Sequence, residues 1–91
     1  MNDKLTEPNS HQVLTDVREL IAKRLDIDVA QVDAQTRMLD LPGIDSLKLL
    51  SGLVAVEDHF GVTLDEQQAM AVRTVGEIAG LVNTAIRSSG R

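Results

Sequence analysis

No cysteine occurs anywhere in the 91 residues, which excludes a disulfide framework, a thiolate metal site and a cysteine nucleophile. Tryptophan and tyrosine are also absent, and Phe60 is the single phenylalanine. A core built without aromatics must come from Leu, Ile, Val, Ala and Met, which suits helices packed on helices better than an aromatic-rich sheet. It also leaves no platform on which nucleic-acid bases could stack. Basic residues are in the minority, 9 Lys and Arg against 14 Asp and Glu. The resulting charge of −5 argues against binding a phosphate backbone and fits a protein whose partners carry basic patches. Histidine is limited to His11 and His59, far apart and without ligand-like spacing, so no metal site is expected. No run approaches the roughly 20 apolar residues of a membrane span. The first residues, with Asp3 and Glu7 and no apolar core, do not read as a secretory signal. The expected location is the cytoplasm, with no membrane and no nucleic acid among the partners.

What is present fits one domain. The length has room for no more, and 43% hydrophobic residues suffice for a small core. Residues 1–9 are polar, contain Pro8 and show no periodicity, so a loosely ordered segment is expected there. Ser10 is placed to cap a first helix, in which Val13, Leu14, Val17, Leu20, Ile21 and Leu25 recur at helical spacing. Asp16, Arg18, Glu19, Lys23 and Arg24 fall mainly on the other, solvated side. From Asp26 to Gly43 the pattern lapses, apart from a brief turn that Asp28 can cap. Stretches of this length without secondary structure are usually functional or pinned to the core; Val32, Met38, Leu39 and Leu41 are expected to cover the bundle. Asp65 is placed to cap a short third helix over residues 66–71. Thr74-Val75-Gly76-Glu77 is a capping box, followed by a last helix marked by Val75, Ile78, Leu81, Val82, Ala85 and Ile86. The resulting division is 1–9 flexible, 10–87 domain, 88–91 flexible tail.

The remaining helix, from Ser46 to Phe60, carries the functional signal. Pro42 and Gly43 break whatever precedes it, and Gly61 closes it where a left-handed residue is expected. On a wheel of about 100° per residue, Leu49, Leu53, Val56 and Phe60 form a core stripe. Leu47, Leu50 and Val54 form a second cluster beyond Glu57. Either the helix is buried on a wide arc, or this second cluster is exposed beside Ser46 as a docking surface. Gly52, inside the helix, weakens it by ~1 kcal/mol relative to Ala; it admits a close helix or leaves space for a substrate chain. Ser46 can cap the helix with its hydroxyl. Asp45 can do so as well, and two caps exceed what one helix needs. A covalent phosphate-containing group on Ser46 is the other reading, because it would face unpaired backbone N–H groups at the positive end of the helix dipole.

Gly43-Ile44-Asp45-Ser46-Leu47, with a helix that ends in Glu57-Asp58-His59-Phe60-Gly61, resembles the phosphopantetheine attachment region of acyl carrier proteins. The resemblance covers residues 11–86. It implies an all-α four-helix bundle, three helices long and one short, with a long first loop. It also implies a 4'-phosphopantetheine cofactor carried on Ser46 and a carrier in place of a catalyst. Asp45, Leu47, Lys48, Leu50, Val54 and Glu57 would then make the partner-binding face. The implied partners are a phosphopantetheinyl transferase, an acyl- or aminoacyl-loading enzyme, and a ketosynthase or acyltransferase, met by a monomer. Lys48 and Ser51 depart from fatty-acid-synthesis members, which are typically acidic there, and lean toward a specialised pathway of polyketide or aminoacyl type. A peptidyl carrier shares the fold and the serine, although Gly43-Ile44-Asp45 fits the acyl type better. An unmodified helical adaptor, with Ser46 as a cap only, is the alternative from another class. Side chains able to act as acid, base or nucleophile form no recognisable constellation.

Overall fold

A computed structural model describes residues 10–89 and shows four helices: α1 (Ser10–Leu25), α2 (Ser46–Phe60), α3 (Glu66–Ala71) and α4 (Val75–Ser89). The all-α bundle of three long helices and one short one is as the sequence implies. α1 packs most extensively on α4 and next on α2, while α3 lies against α4. The helical stripes meet in a core where Val13 and Val17 of α1, Val56 of α2, and Val75 and Val82 of α4 are fully buried. Ile21, Leu53 and Ile78 are buried beside them, and no polar or charged side chain is buried among the described residues.

Local chemistry fixes the helix ends. Asp65 accepts from the Gln68 N–H at 3.0 Å and starts α3. At α4 the capping box forms in both directions: Glu77 N–H donates to Thr74 Oγ1 at 3.2 Å, and Glu77 Oε1 accepts from the Thr74 N–H at 3.3 Å. The same carboxylate oxygen accepts from the Arg73 N–H at 2.5 Å. These backbone donors, Arg73 ahead of Thr74, hold Glu77 below its ordinary pKa. α1 ends in a Schellman motif. Asp26 takes the left-handed conformation at φ 60°, Asp26 N–H donates to Lys23 O, and Ile27 N–H donates to Ala22 O. α2 also ends on a left-handed residue, Gly61 at φ 67°, where the Gly61 and Val62 N–H groups both donate to Glu57 O.

Some expectations require correction. The segment between α1 and α2 has structure of its own, in two 3₁₀ turns, Val29–Gln31 and Met38–Asp40. Asp28 caps the first, accepting from the Ala30 N–H at 2.9 Å. The segment is sewn to the entrance of α4: Met38 N–H donates to Arg73 O at 2.8 Å, Val75 N–H to Thr36 O at 3.0 Å and Gly76 N–H to Ala34 O at 2.8 Å. Arg18 ties it to α1, its guanidinium donating to Val32 O and, at 3.2 Å, to Val29 O. Periodicity gave no sign of that role, because a long cationic side chain on a solvated face looks the same whether or not it reaches a neighbouring carbonyl. Val32, Met38 and Leu41 cover the bundle as expected, but Leu39 does not; it is 77% exposed. Phe60, Leu14 and Leu49 are half-buried, packed against the edge of the core and not inside it. Ser10 already lies within α1, so it is not the cap, and the segment 1–9 falls outside the described residues. α4 runs through Ser89, further than the expected tail at 88–91 allowed, since no breaker precedes Gly90.

Candidate functional site

The head of α2 is assembled from a buried anchor outward. Leu41 is buried, and its carbonyl accepts from the Ile44 N–H at 3.3 Å, closing a turn with Pro42 and Gly43 at its centre. Gly43 sits at φ 73°, and Pro-Gly is the order that a type II turn requires. Ile44, half-buried, returns to the core, and Asp45 follows in an extended conformation as the N-cap. Its Oδ1 accepts from the Lys48 N–H at 2.8 Å, and its carbonyl accepts from the Leu49 N–H at 2.9 Å.

Ser46 is therefore the first helical residue and not the cap. Asp45 does that work, and the Ser46 hydroxyl makes no hydrogen bond among the described residues. Ser46 and Leu47 are both exposed, and their N–H groups donate to no described residue. An exposed hydroxyl beside two unpaired donors at the positive end of a helix fits a phosphodiester on Ser46 Oγ. A phosphopantetheine arm supplies a terminal thiol able to hold an acyl group as a thioester, which no side chain of a cysteine-free protein can do.

Beside Ser46 the second apolar cluster of α2 is exposed, Leu47 at 77%, Val54 at 54% and Leu50 at 39%. Leu50 and Val54 also line one wall of an open groove of about 300 Å³ between α2 and α3, with Leu64, Ala69 and exposed Met70 on the other side. Nothing in the sequence joins Met70 to the α2 cluster, since no local period spans two helices. Glu57, expected on the partner face, is half-buried, and its Oε2 accepts from the Leu64 N–H at 2.8 Å. It fastens the loop between α2 and α3, and its carboxylate is turned to that loop. Lys48 is exposed and bends back over the turn, with Nζ 3.8 Å from where a Cβ on Gly43 would stand. Asp58, at the far end of the helix, is exposed.

The family model for the phosphopantetheine attachment site matches residues 15–82. The chain belongs to the acyl carrier protein family. An acyl carrier protein MbtL from Mycobacterium sp. (strain MCS) is 31% identical over 81 residues, covering 89% of this chain and 91% of the relative. An acyl carrier protein from Exiguobacterium sp. (strain ATCC BAA-1283 / AT1b) is 32% identical over 75 residues, covering 82% of this chain and 95% of the relative. One from Thermotoga maritima is 30% identical over 71 residues, covering 78% and 88%. The carrier thus binds 4'-phosphopantetheine and is not a catalyst. An adaptor that is never modified is set aside by the same match.

Proposed function

We propose that Ser46 is the attachment point and that the carrier presents acyl thioesters to enzymes of a specialised biosynthetic pathway, of polyketide or related type. The observation that carries the first half is the division of labour at the head of α2: Asp45 caps the helix, which leaves the neighbouring Ser46 hydroxyl exposed and without a structural task. Ser10 and Ser51 lack the preceding Gly-Ile-Asp, and Ser88 and Ser89 lie at the end of α4. A phosphopantetheinyl transferase using coenzyme A makes the Ser46 Oγ–phosphorus bond. The phosphoanhydride of coenzyme A breaks, adenosine 3',5'-bisphosphate leaves, and the hydroxyl proton is lost to base.

The second half rests on the surface next to the serine. Asp45 orients the turn, and Leu47, Leu50 and Val54 offer an apolar docking strip in place of an acidic one. Lys48 adds a positive charge where fatty-acid carriers are expected to be acidic, and Glu57 contributes by holding the edge of the groove. The partners that follow are an acyl-loading enzyme, a ketosynthase or an acyltransferase, met by a cytoplasmic monomer; among the described residues no helix is long and apolar enough to cross a membrane. Tethering on a short arm raises the effective concentration of cargo at each partner.

Incubation of the purified chain with coenzyme A and a promiscuous transferase should add the mass of one phosphopantetheine, and Ser46→Ala should abolish the gain. Modification persisting in that variant, or appearing on another serine, overturns the assignment. The intact mass of protein isolated from its host separates acyl from aminoacyl cargo, the latter being the outcome that would make it a peptidyl carrier.

A further inference from the structure

Lys48 sits in the first turn of α2, at the positive end of the helix, where a cation is normally unfavourable. Its ammonium makes no ion pair or hydrogen bond among the described residues. Asp45, the nearest acid in sequence, uses its Oδ1 to cap the Lys48 N–H at 2.8 Å. Helical side chains lean toward the N-terminus, and no earlier turn of helix stands in front of this one. The lysine stem therefore reaches back past the helix end, and Nζ stands 3.8 Å from where a Cβ on Gly43 would be. Residues two apart do not face each other along a helix, but ahead of the first turn their side chains share one open space. Ser46 and Leu47 direct their unpaired N–H groups into that same space.

We infer that Lys48 is a positioning residue for the arm: its ammonium pairs with the phosphodiester on Ser46 and holds the root of the arm over the Gly43 turn. The inference rests on attachment at Ser46. Attachment brings a negative charge to a helix end that already carries the Asp45 carboxylate. Two anions there repel each other, and the Lys48 ammonium offsets the repulsion through a charge-assisted hydrogen bond. The unmodified chain thus holds a cation at the wrong end of a helix, and the arm supplies its missing partner. Modification itself therefore stabilises the head of α2. The direction of the pairing also matters. Lys48 lies about 130° around α2 from the centre of the strip formed by Leu47, Leu50 and Val54. An arm rooted toward Lys48 leaves that strip open to a partner enzyme. Lys23 cannot substitute, because the surface hollow it lines meets α2 at Ala55, about 13 Å along the helix from Ser46.

The test compares the melting temperature of the chain before and after conversion by coenzyme A and a promiscuous transferase, with intact mass and peptide mapping to follow the arm. Absence of the arm from Ser46 in the wild type overturns the attachment and the pairing with it, whereas an arm on Ser46 isolates the pairing for the remaining readouts. At low salt the wild type should melt about 2–4 °C higher with the arm than without it, the scale of an exposed charge pair at a helix end in a domain of this size. Lys48→Gln should erase that gain, Lys48→Arg should keep it, and Lys23→Gln should leave it unchanged. At 1 M salt, where screening acts within about 3 Å, the wild-type gain should fall by about half or more. In the modified wild type, the geminal methyl protons of the arm, a few bonds from the phosphorus, should show nuclear Overhauser contacts to Gly43 and to the Lys48 side chain. An equal gain in wild type and Lys48→Gln, or no gain in the wild type, overturns the proposal. Contacts to Leu50 and Val54 in place of Gly43 and Lys48 overturn it too. The salt dependence and the contacts of the wild type decide the matter even if a Lys48 variant is a poor substrate for the transferase.

Discussion

At the scale of single residues, the head of α2 separates two carboxylate and hydroxyl roles that sequence alone left merged. Asp45→Ala should destabilise the fold by about 0.5–2 kcal/mol, the usual loss for a cap. Ser46→Ala should stay within about 0.5 kcal/mol of wild type, as a surface change with no lost partner does. Urea titration of both variants checks the contrast, and a reversed order would return the capping role to Ser46. Glu77 is the residue with a pH signature. Its pKa is lowered in the folded chain by the N–H groups of Arg73 and Thr74. Its contribution is therefore complete above the ordinary glutamate range and is lost as pH falls through the depressed value. The stability advantage of wild type over Glu77→Gln, measured by melting at a series of pH values, should shrink with acidification through that window. An advantage that does not change with pH would mean that the carboxylate charge adds nothing to the capping box.

At the scale of elements, the two glycines of α2 should respond with opposite sign. Gly52→Ala meets open space and should raise stability by about 1 kcal/mol through helix propensity alone. Gly61→Ala also meets open space, but the left-handed backbone there should cost about 1–2 kcal/mol. Thermal melts of the pair test whether α2 is positioned by its ends or by its middle. The helices themselves were legible from sequence: the three-and-four spacing of α1 and α4, the Thr74–Glu77 box, Asp65 and Gly61 all act within a turn or two of chain. The family was legible for the same reason, since the resemblance rests on five consecutive residues, Gly43 to Leu47. What escaped depends on partners distant in sequence. Phe60 ends its stripe at the margin of the bundle, so Phe60→Ala should be less damaging than Ile78→Ala, for which about 2–5 kcal/mol is expected. The Glu57 carboxylate serves the loop that follows α2, and Leu39 is exposed on the turn that buries Met38. Arg18 holds two carbonyls of a segment more than ten residues away; Arg18→Ala should loosen that segment, seen as faster amide exchange at Val32 and Met38 with α4 unchanged.

At the scale of the whole molecule, the question is where the charge of −5 is placed. A carrier meets several enzymes in turn, and opposite charge across an interface chiefly raises the rate of encounter, whereas a like charge in contact can cost several kcal/mol. In this chain the acidic excess is not gathered on the first turns of α2, where Lys48 is exposed and Ser51 half-buried; Glu57 is engaged with Leu64 and Asp58 lies near the far end. The surface next to Ser46 is instead apolar, and apolar contact is little affected by salt while charge steering is screened within about 8 Å at physiological ionic strength. Cognate loading should therefore depend weakly on salt and strongly on Val54. Lys48→Asp combined with Ser51→Glu should improve acceptance by a fatty-acid ketosynthase, most of all at low salt, while Val54→Asp should impair the cognate loading enzyme at every salt concentration. The measurement is kcat/KM for acyl transfer to each holo variant at low and moderate salt. Efficient use of the unaltered carrier by the fatty-acid ketosynthase, with no gain from the acidic pair, would show that Lys48 and Ser51 play no part in choosing partners.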